Sequence, residues 1–169
     1  MPLTVIDTQQ NTADFAARVQ SAVQAYTGDL VRLAFTYVQC VDDAEDIVQD
    51  VFLNYWKVKP ALQGPQGEKA WLLRCTINRA KDVLRAGWYR NREELSEEIP
   101  AATAEEHEVL DAVLALDEKY RTPIHLHYYG GYSIQEIAEI TGVKPATIGT
   151  RLARGREQLK AKLGEWEDE

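Results

Sequence analysis

Long apolar runs, paired cysteines and glycine-rich loops are all missing from this 169-residue chain, and each absence removes a class of protein. No stretch approaches the roughly 18 consecutive apolar residues of a membrane span, which predicts no membrane insertion. The opening residues Met1 to Asp7 have neither a basic start nor a long apolar core, so no secretory signal is expected and the protein reads as cytoplasmic. Cys40 and Cys75 are the only cysteines and form no CxxC. They read as buried thiols in a reducing compartment rather than a disulfide framework. Histidine is scarce as well: His107 stands apart, and His125 and His127, two positions apart, fall on different faces of a helix, unsuited to one metal. With no phosphate-cradling loop and no nucleophile elbow, the chain offers no catalytic residues, no metal ligands and no cofactor site, and is read as a non-enzyme. Sustained period-two alternation, internal repeats and low-complexity tracts are also missing.

What is present is charge, and it is segregated. The net charge of −8 argues against nucleic-acid binding when taken as a bulk number. Residues 74–92, however, carry Arg74, Arg79, Lys81, Arg85, Arg90 and Arg92 against Asp82 alone, and residues 132–163 have a balance of +3. Residues 93–118 hold ten acids and no lysine or arginine. At a screening length of about 8 Å in physiological salt, surfaces act through their local charge rather than the total.

The periodicity predicts an all-α chain of two small helical domains: residues 1–92, an acidic linker 93–104 and a C-terminal unit 105–169. Residues 12–40 read as one or two helices interrupted near Thr27, Gly28 and Asp29. A helix starts at Asp42 and Asp43 and runs to about Lys57, a loop spans Pro60 to Gly67, and a long helix follows from Glu68 to Ala86. The C-terminal unit reads as four helices over 105–115, 117–128, 133–140 and 145–163, with a frayed end from Glu165 to Glu169.

Three stretches carry function. In the first, Ser133 and Glu136 fit a capping box ahead of an apolar face of Ile134, Ile137 and Ala138. Gly142 suits the left-handed turn that ends a helix, and Pro145 suits the first turn of the next. Ile148, Leu152, Leu159 and Leu163 form that helix's buried stripe. Thr147, Thr150, Arg151, Arg154 and Arg156 are left for a major groove, in a helix-turn-helix arrangement. In the second, Leu72, Leu73, Ile77, Ala80, Val83 and Leu84 fall on one side of a helix. Trp71, Arg74, Asn78, Arg79, Lys81, Asp82 and Arg85 belong to its polar part, with a flat ring for stacking, cations for phosphates and an amide for a base edge, a set that suits single-strand capture. In the third, Ile47, Val48, Val51, Phe52 and Tyr55 point inward. Asp46, Gln49, Asp50, Leu53 and Trp56 lie opposite, and large apolar groups in a polar rim mark a protein interface.

Residues 43–56 (DAEDIVQDVFLNYW), 70–84 (AWLLRCTINRAKDVL) and 132–143 (YSIQEIAEITGV) together resemble the sigma-70 family of RNA polymerase sigma factors, in its small two-domain extracytoplasmic-function subgroup. The motifs lie in the family's order and cover about residues 12–163. The resemblance implies that the 43–57 helix docks on the clamp of core RNA polymerase through Asp46, Gln49, Asp50, Leu53 and Trp56. The 60–68 loop and the Trp71 helix would open and hold the −10 strand, the C-terminal unit would read the −35 promoter DNA, and the linker would run through the polymerase. Many members are held inactive by an anti-sigma factor, a partner that the sequence itself does not display. The chain departs from the family at Gly149, where a lysine or arginine commonly faces DNA, and at Lys144, Pro145 and Ala146, which replace a small, glycine-rich lead-in. Two other readings compete: a stand-alone helix-turn-helix regulator, which would bind duplex tightly without polymerase, and an interaction protein whose basic faces bind acidic partners.

Overall fold

Three helices build the N-terminal half of this computed structural model, which describes residues 5–86 and 103–164, with side chains from residue 10 onward. Helix α1 (Val5–Val38) runs straight through the break expected at Thr27 to Asp29. The Thr27 hydroxyl bonds back to the Val23 carbonyl within the helix, and Leu30 and Leu33, both fully buried, hold the next turn against α2 and α3. Tertiary burial, at about 1.5–3 kcal/mol per large apolar side chain, outweighs the roughly 1 kcal/mol that a mid-helix glycine costs. Helix α1 ends at Gln39 and α2 (Val41–Val58) at Lys59, both in the left-handed region. Helix α3 (Gly64–Arg85) starts earlier than the sequence suggests, because Pro65 occupies its first turn and shortens the loop before it.

The inward stripes on α2 and α3 are as expected. Ile47, Val48, Val51, Tyr55, Leu72, Leu73, Ile77 and Ala80 are buried, while Phe52, Val83 and Leu84 are half-buried. Thr76 is buried too, its hydroxyl satisfied by the Leu72 carbonyl at 2.8 Å.

Helix α4 (Ala104–Leu114) opens the C-terminal half with a complete capping box between Thr103 and Glu106. Residue 104, expected in the linker, is therefore helical. Residues 93–102 of that linker, with Arg90 and Arg92, and the frayed end expected at 165–169 lie outside the described residues. Helix α5 (Glu118–Ile124) continues into a π-helical turn, His125–Tyr129. At Ser133 only the first half of the expected box forms, the hydroxyl accepting from the Glu136 N–H at 3.1 Å. Helix α6 (Ile134–Thr141) then ends at Gly142 with φ 72°, and α7 (Pro145–Leu163) has Pro145 in its first turn. Ile148, Leu152 and Leu159 are buried as expected, and Leu163 is half-buried. Ile134 is the exception on α6, being 39% exposed. Gly155 sets the approach of α7 to α5, since a Cβ there would lie 2.9 Å from Ile124 Cγ1. All described residues in regular structure are helical. The two halves meet where α1 touches α5 and α3 touches α6.

Candidate nucleic-acid and protein interfaces

On α2, Asp46, Gln49, Asp50, Leu53 and Trp56 are all exposed, as their spacing predicts, with Leu53 at 57%. Gln49, Leu53 and Trp56 form one wall of an apolar groove of about 650 Å³. The facing wall is Val19, Val23 and Val31 on α1, a row at helical spacing that the sequence displayed but that was assigned no role. Trp56 is not free-standing: its ring lies 5.8 Å from that of Phe15, and Lys59 Nζ sits 5.1 Å from its centroid.

Trp71 requires a correction. It is half-buried and packed against the core, its ring 5.4 Å from that of Tyr55, rather than facing outward. The physical reason is that Tyr55 on α2 presents a ring at the α2–α3 seam. Tyr55 itself is fully buried and donates to Glu68 Oε2 at 2.6 Å. Burial, with Glu68 beside it, pushes the Tyr55 hydroxyl well above its ordinary range and keeps it a donor.

The rest of the α3 set divides by partner. Asn78 is exposed and, with Arg79 and Asp82, lines a cleft that also includes Asp50. Arg79 donates to Asp50 Oδ2 at 2.9 and 3.0 Å, so the strand set and the α2 set join at one ion pair. Arg85 pairs with Asp82 one turn earlier at 3.4 Å. Arg74 and Lys81 reach across to the other half. Arg74 donates to the Glu139 and Ile140 carbonyls of α6, and Lys81 lies 3.6 Å from Glu118.

On α7, Thr150 and Arg154 are exposed, and the Thr150 hydroxyl returns to the Ala146 carbonyl. Thr147, Arg151 and Arg156 are half-buried instead of outward. The cause at Arg151 is the N-terminal half, since the side chain lines a cavity that Lys81 and Tyr37 share. Arg156 donates to the Tyr128 hydroxyl at 3.0 Å. Gly149 faces α6 with space beside it, the nearest atom to a built Cβ being Ile134 Cδ1 at 4.0 Å. Cys40 and Cys75 form no disulfide and are half-buried, and burial raises both thiols, which keeps them protonated near neutral pH.

Among the described residues, this arrangement brings together no pocket-and-nucleophile geometry. It is a set of faces on helices, two of them cationic and one apolar. The sequence matches the families described as Sigma-70 region 2 over residues 22–90 and Sigma-70 region 4 over residues 106–159. It is 32% identical over 152 residues to the RNA polymerase sigma factor SigV of Bacillus subtilis, covering 87% of this chain and 92% of that one. The ECF RNA polymerase sigma factor SigW of the same organism is 27% identical over 161 residues, covering 83% and 86%. The fold is that of the sigma factor RpoE of Bartonella quintana, solved with the anti-sigma factor NepR, at a TM-score of 0.71, 22% identity and coverage of 85% and 95%.

The chain belongs to the sigma-70 family of RNA polymerase sigma factors, in the extracytoplasmic-function subgroup. It is a transcription initiation factor and not an enzyme. It binds core RNA polymerase and directs it to promoters, recognising the −35 duplex and the melted −10 strand. No helix among the described residues is long and apolar enough to cross a membrane.

Proposed function

We propose that these activities divide among three helices of this chain. Residues 1–92 form the polymerase- and −10-binding domain, the linker follows and ends before α4, and the −35-binding domain runs from α4 to residue 169. Helix α2 docks on the polymerase through Leu53 and Trp56, with Asp46, Gln49 and Asp50 as the polar rim. Helix α3 holds the melted −10 strand: Asn78 meets a base edge, Arg74, Arg79, Lys81 and Arg85 meet phosphates, and Asp82 orients Arg85. Trp71 contributes its exposed edge to the same strand. Helix α7 enters the major groove with Thr147, Thr150, Arg151, Arg154 and Arg156. The observation that carries this division is the Arg79–Asp50 ion pair. It lies where the polar face of α3 borders the exposed face of α2, so a polymerase seated on α2 delivers the strand to α3. The protein works in the cytoplasm. An anti-sigma factor is a further partner, supported by the complex in which the Bartonella relative was solved.

In vitro transcription with core polymerase tests the reading. The chain should direct initiation from its promoter only with polymerase present, and Asn78→Ala should reduce strand opening without weakening polymerase binding. Tight sequence-specific duplex binding by the chain alone would support the stand-alone regulator instead.

A further inference from the structure

We propose that the open end of the α1–α2 pair is a second strand site, a cationic hollow that takes a backbone phosphate of the melted DNA where it passes beyond α3. The inference rests on the assignment of α3 to that strand and carries it to Arg18 and Lys59.

The hollow, of about 210 Å³, is lined by Asn11, Thr12, Phe15 and Arg18 of α1 and by Lys59 and Pro60 after α2. It brings together two cations, an amide and a hydroxyl, and none of the lining residues is a carboxylate. Lys59 carries the argument. Its backbone stands at φ 46° and ψ 59°, where its N–H closes α2 on the Tyr55 carbonyl at 3.0 Å. Glycine takes that left-handed conformation freely, whereas a lysine there is strained. Strain of this kind is kept where the side chain serves a function. The lysine folds back over two rings, its Nζ 5.1 Å from the centroid of Trp56 and 5.8 Å from that of Phe15. Among the described residues no carboxylate is paired with it. Arg18 is also open to an anion, since its Nε lies 3.8 Å from Glu68, beyond hydrogen-bond range.

The position of the hollow suits a strand. Residues 59–63 join α2 to α3, so the hollow lies at the same end of the N-terminal half as the first turn of α3. A row of rings connects the two: Trp71 is 5.4 Å from Tyr55, and Tyr55 is 5.3 Å from Phe15. With Asn11, Arg18 and Lys59 all exposed, free phosphate would be held only weakly. A phosphate on a strand already gripped by α3 arrives at a high effective concentration, so two exposed cations suffice.

A methylphosphonate scan tests this. The probe is promoter DNA with its −10 region unpaired, bound by the chain together with core polymerase, one phosphate of the strand being neutralised at a time. In the wild type one position should lose affinity by about fivefold, the upper range for an exposed ion pair. In Lys59→Gly that position alone should become silent, and Lys59→Arg should restore the effect. Lys59→Gly should stay folded, because glycine relieves the left-handed backbone. A scan identical in the wild type and Lys59→Gly overturns the proposal. If, with such a scan, inorganic phosphate at constant ionic strength raises the melting temperature of the wild type but not of Lys59→Gly, the hollow serves free phosphate and the strand site is again overturned. Asn78→Ala separates the two claims. Unchanged affinity of that variant for the unmodified probe sinks the assignment of α3 to the strand, while a Lys59-dependent position in the scan keeps the hollow as a phosphate site.

Discussion

Asn78 and Trp71 lie on the same helix but make different demands on an experiment. Asn78 is exposed, so Asn78→Ala should leave stability within about 0.5 kcal/mol of wild type and reduce promoter opening, read by permanganate footprinting, more than duplex engagement. Equal loss in both assays would count against a strand contact. Trp71→Ala should lower both opening and stability, because the ring also packs on Tyr55; base–aromatic stacking is worth about 1–3 kcal/mol per base.

His125 carries a pH prediction. Burial lowers it to about 4; Asp29 opposes and Arg32 reinforces that shift, and the ring stacks on Tyr129 at 5.1 Å. With a folded value below the unfolded value near 6.5, the unfolded state takes up the proton first. Stability should therefore be full above about pH 6.5, fall by an amount on the order of 2–3 kcal/mol as the pH drops toward 4, and change no further from this group below that. His125→Phe keeps the stacking and should flatten that part of the curve, measured as urea midpoints at pH 7 and pH 4.5. A variant that loses stability as steeply as the wild type would clear His125 of the effect.

At the scale of the element, the glycines of α7 behave in opposite ways. Gly149 has space beside it, so Gly149→Ala should raise stability by about 0.5–1 kcal/mol through helix propensity. A Cβ at Gly155 would lie 2.9 Å from Ile124 Cγ1, and Gly155→Ala should lower stability by about 1–3 kcal/mol by forcing α7 off α5. Thermal melts of the two variants check both signs. Gly149→Lys should add a cation near the −35 duplex and steepen the salt dependence of binding by about 0.9 in log–log slope. An unchanged slope would mean that the new side chain contacts no phosphate.

Helix α2 gives the protein-contact prediction. Leu53→Asp should weaken core-polymerase binding by about 2 kcal/mol with helix content unchanged, as for a central apolar contact. Leu53 is the cleaner probe, because Trp56 also rests on Phe15 and Lys59. Loss of circular dichroism in Leu53→Asp would assign the side chain to the core and contradict its 57% exposure.

For the whole molecule, the isolated chain should bind its promoter duplex more weakly than about 10 nM, within the usual range of specific protein–DNA affinities, and should gain specificity with polymerase. The net charge of −8 disfavours phosphate approach. Electrophoretic mobility shifts at physiological salt, with and without core polymerase, measure this. Tight binding by the chain alone would show that the net charge does not hold DNA off.

Local spacing in the sequence was enough for most of the helices, their inward stripes and the exposure of the outer face of α2. Residues three and four apart share a helix face, and serine, glycine and proline act on the backbone beside them. Hence the turn at Gly142, the stripe of Ile148, Leu152 and Leu159, and the exposure of Leu53 were all legible. Tertiary structure alone decided which outward residues meet another element. Trp71 turns in because Tyr55 lies across the α2–α3 seam, and the helix expected to break at Gly28 stays whole because Leu30 and Leu33 are buried. Arg74 is satisfied by carbonyls 65 and 66 positions away. No periodicity encodes such a contact, since its existence depends on how two halves of the chain come together in space rather than on the order of residues within either.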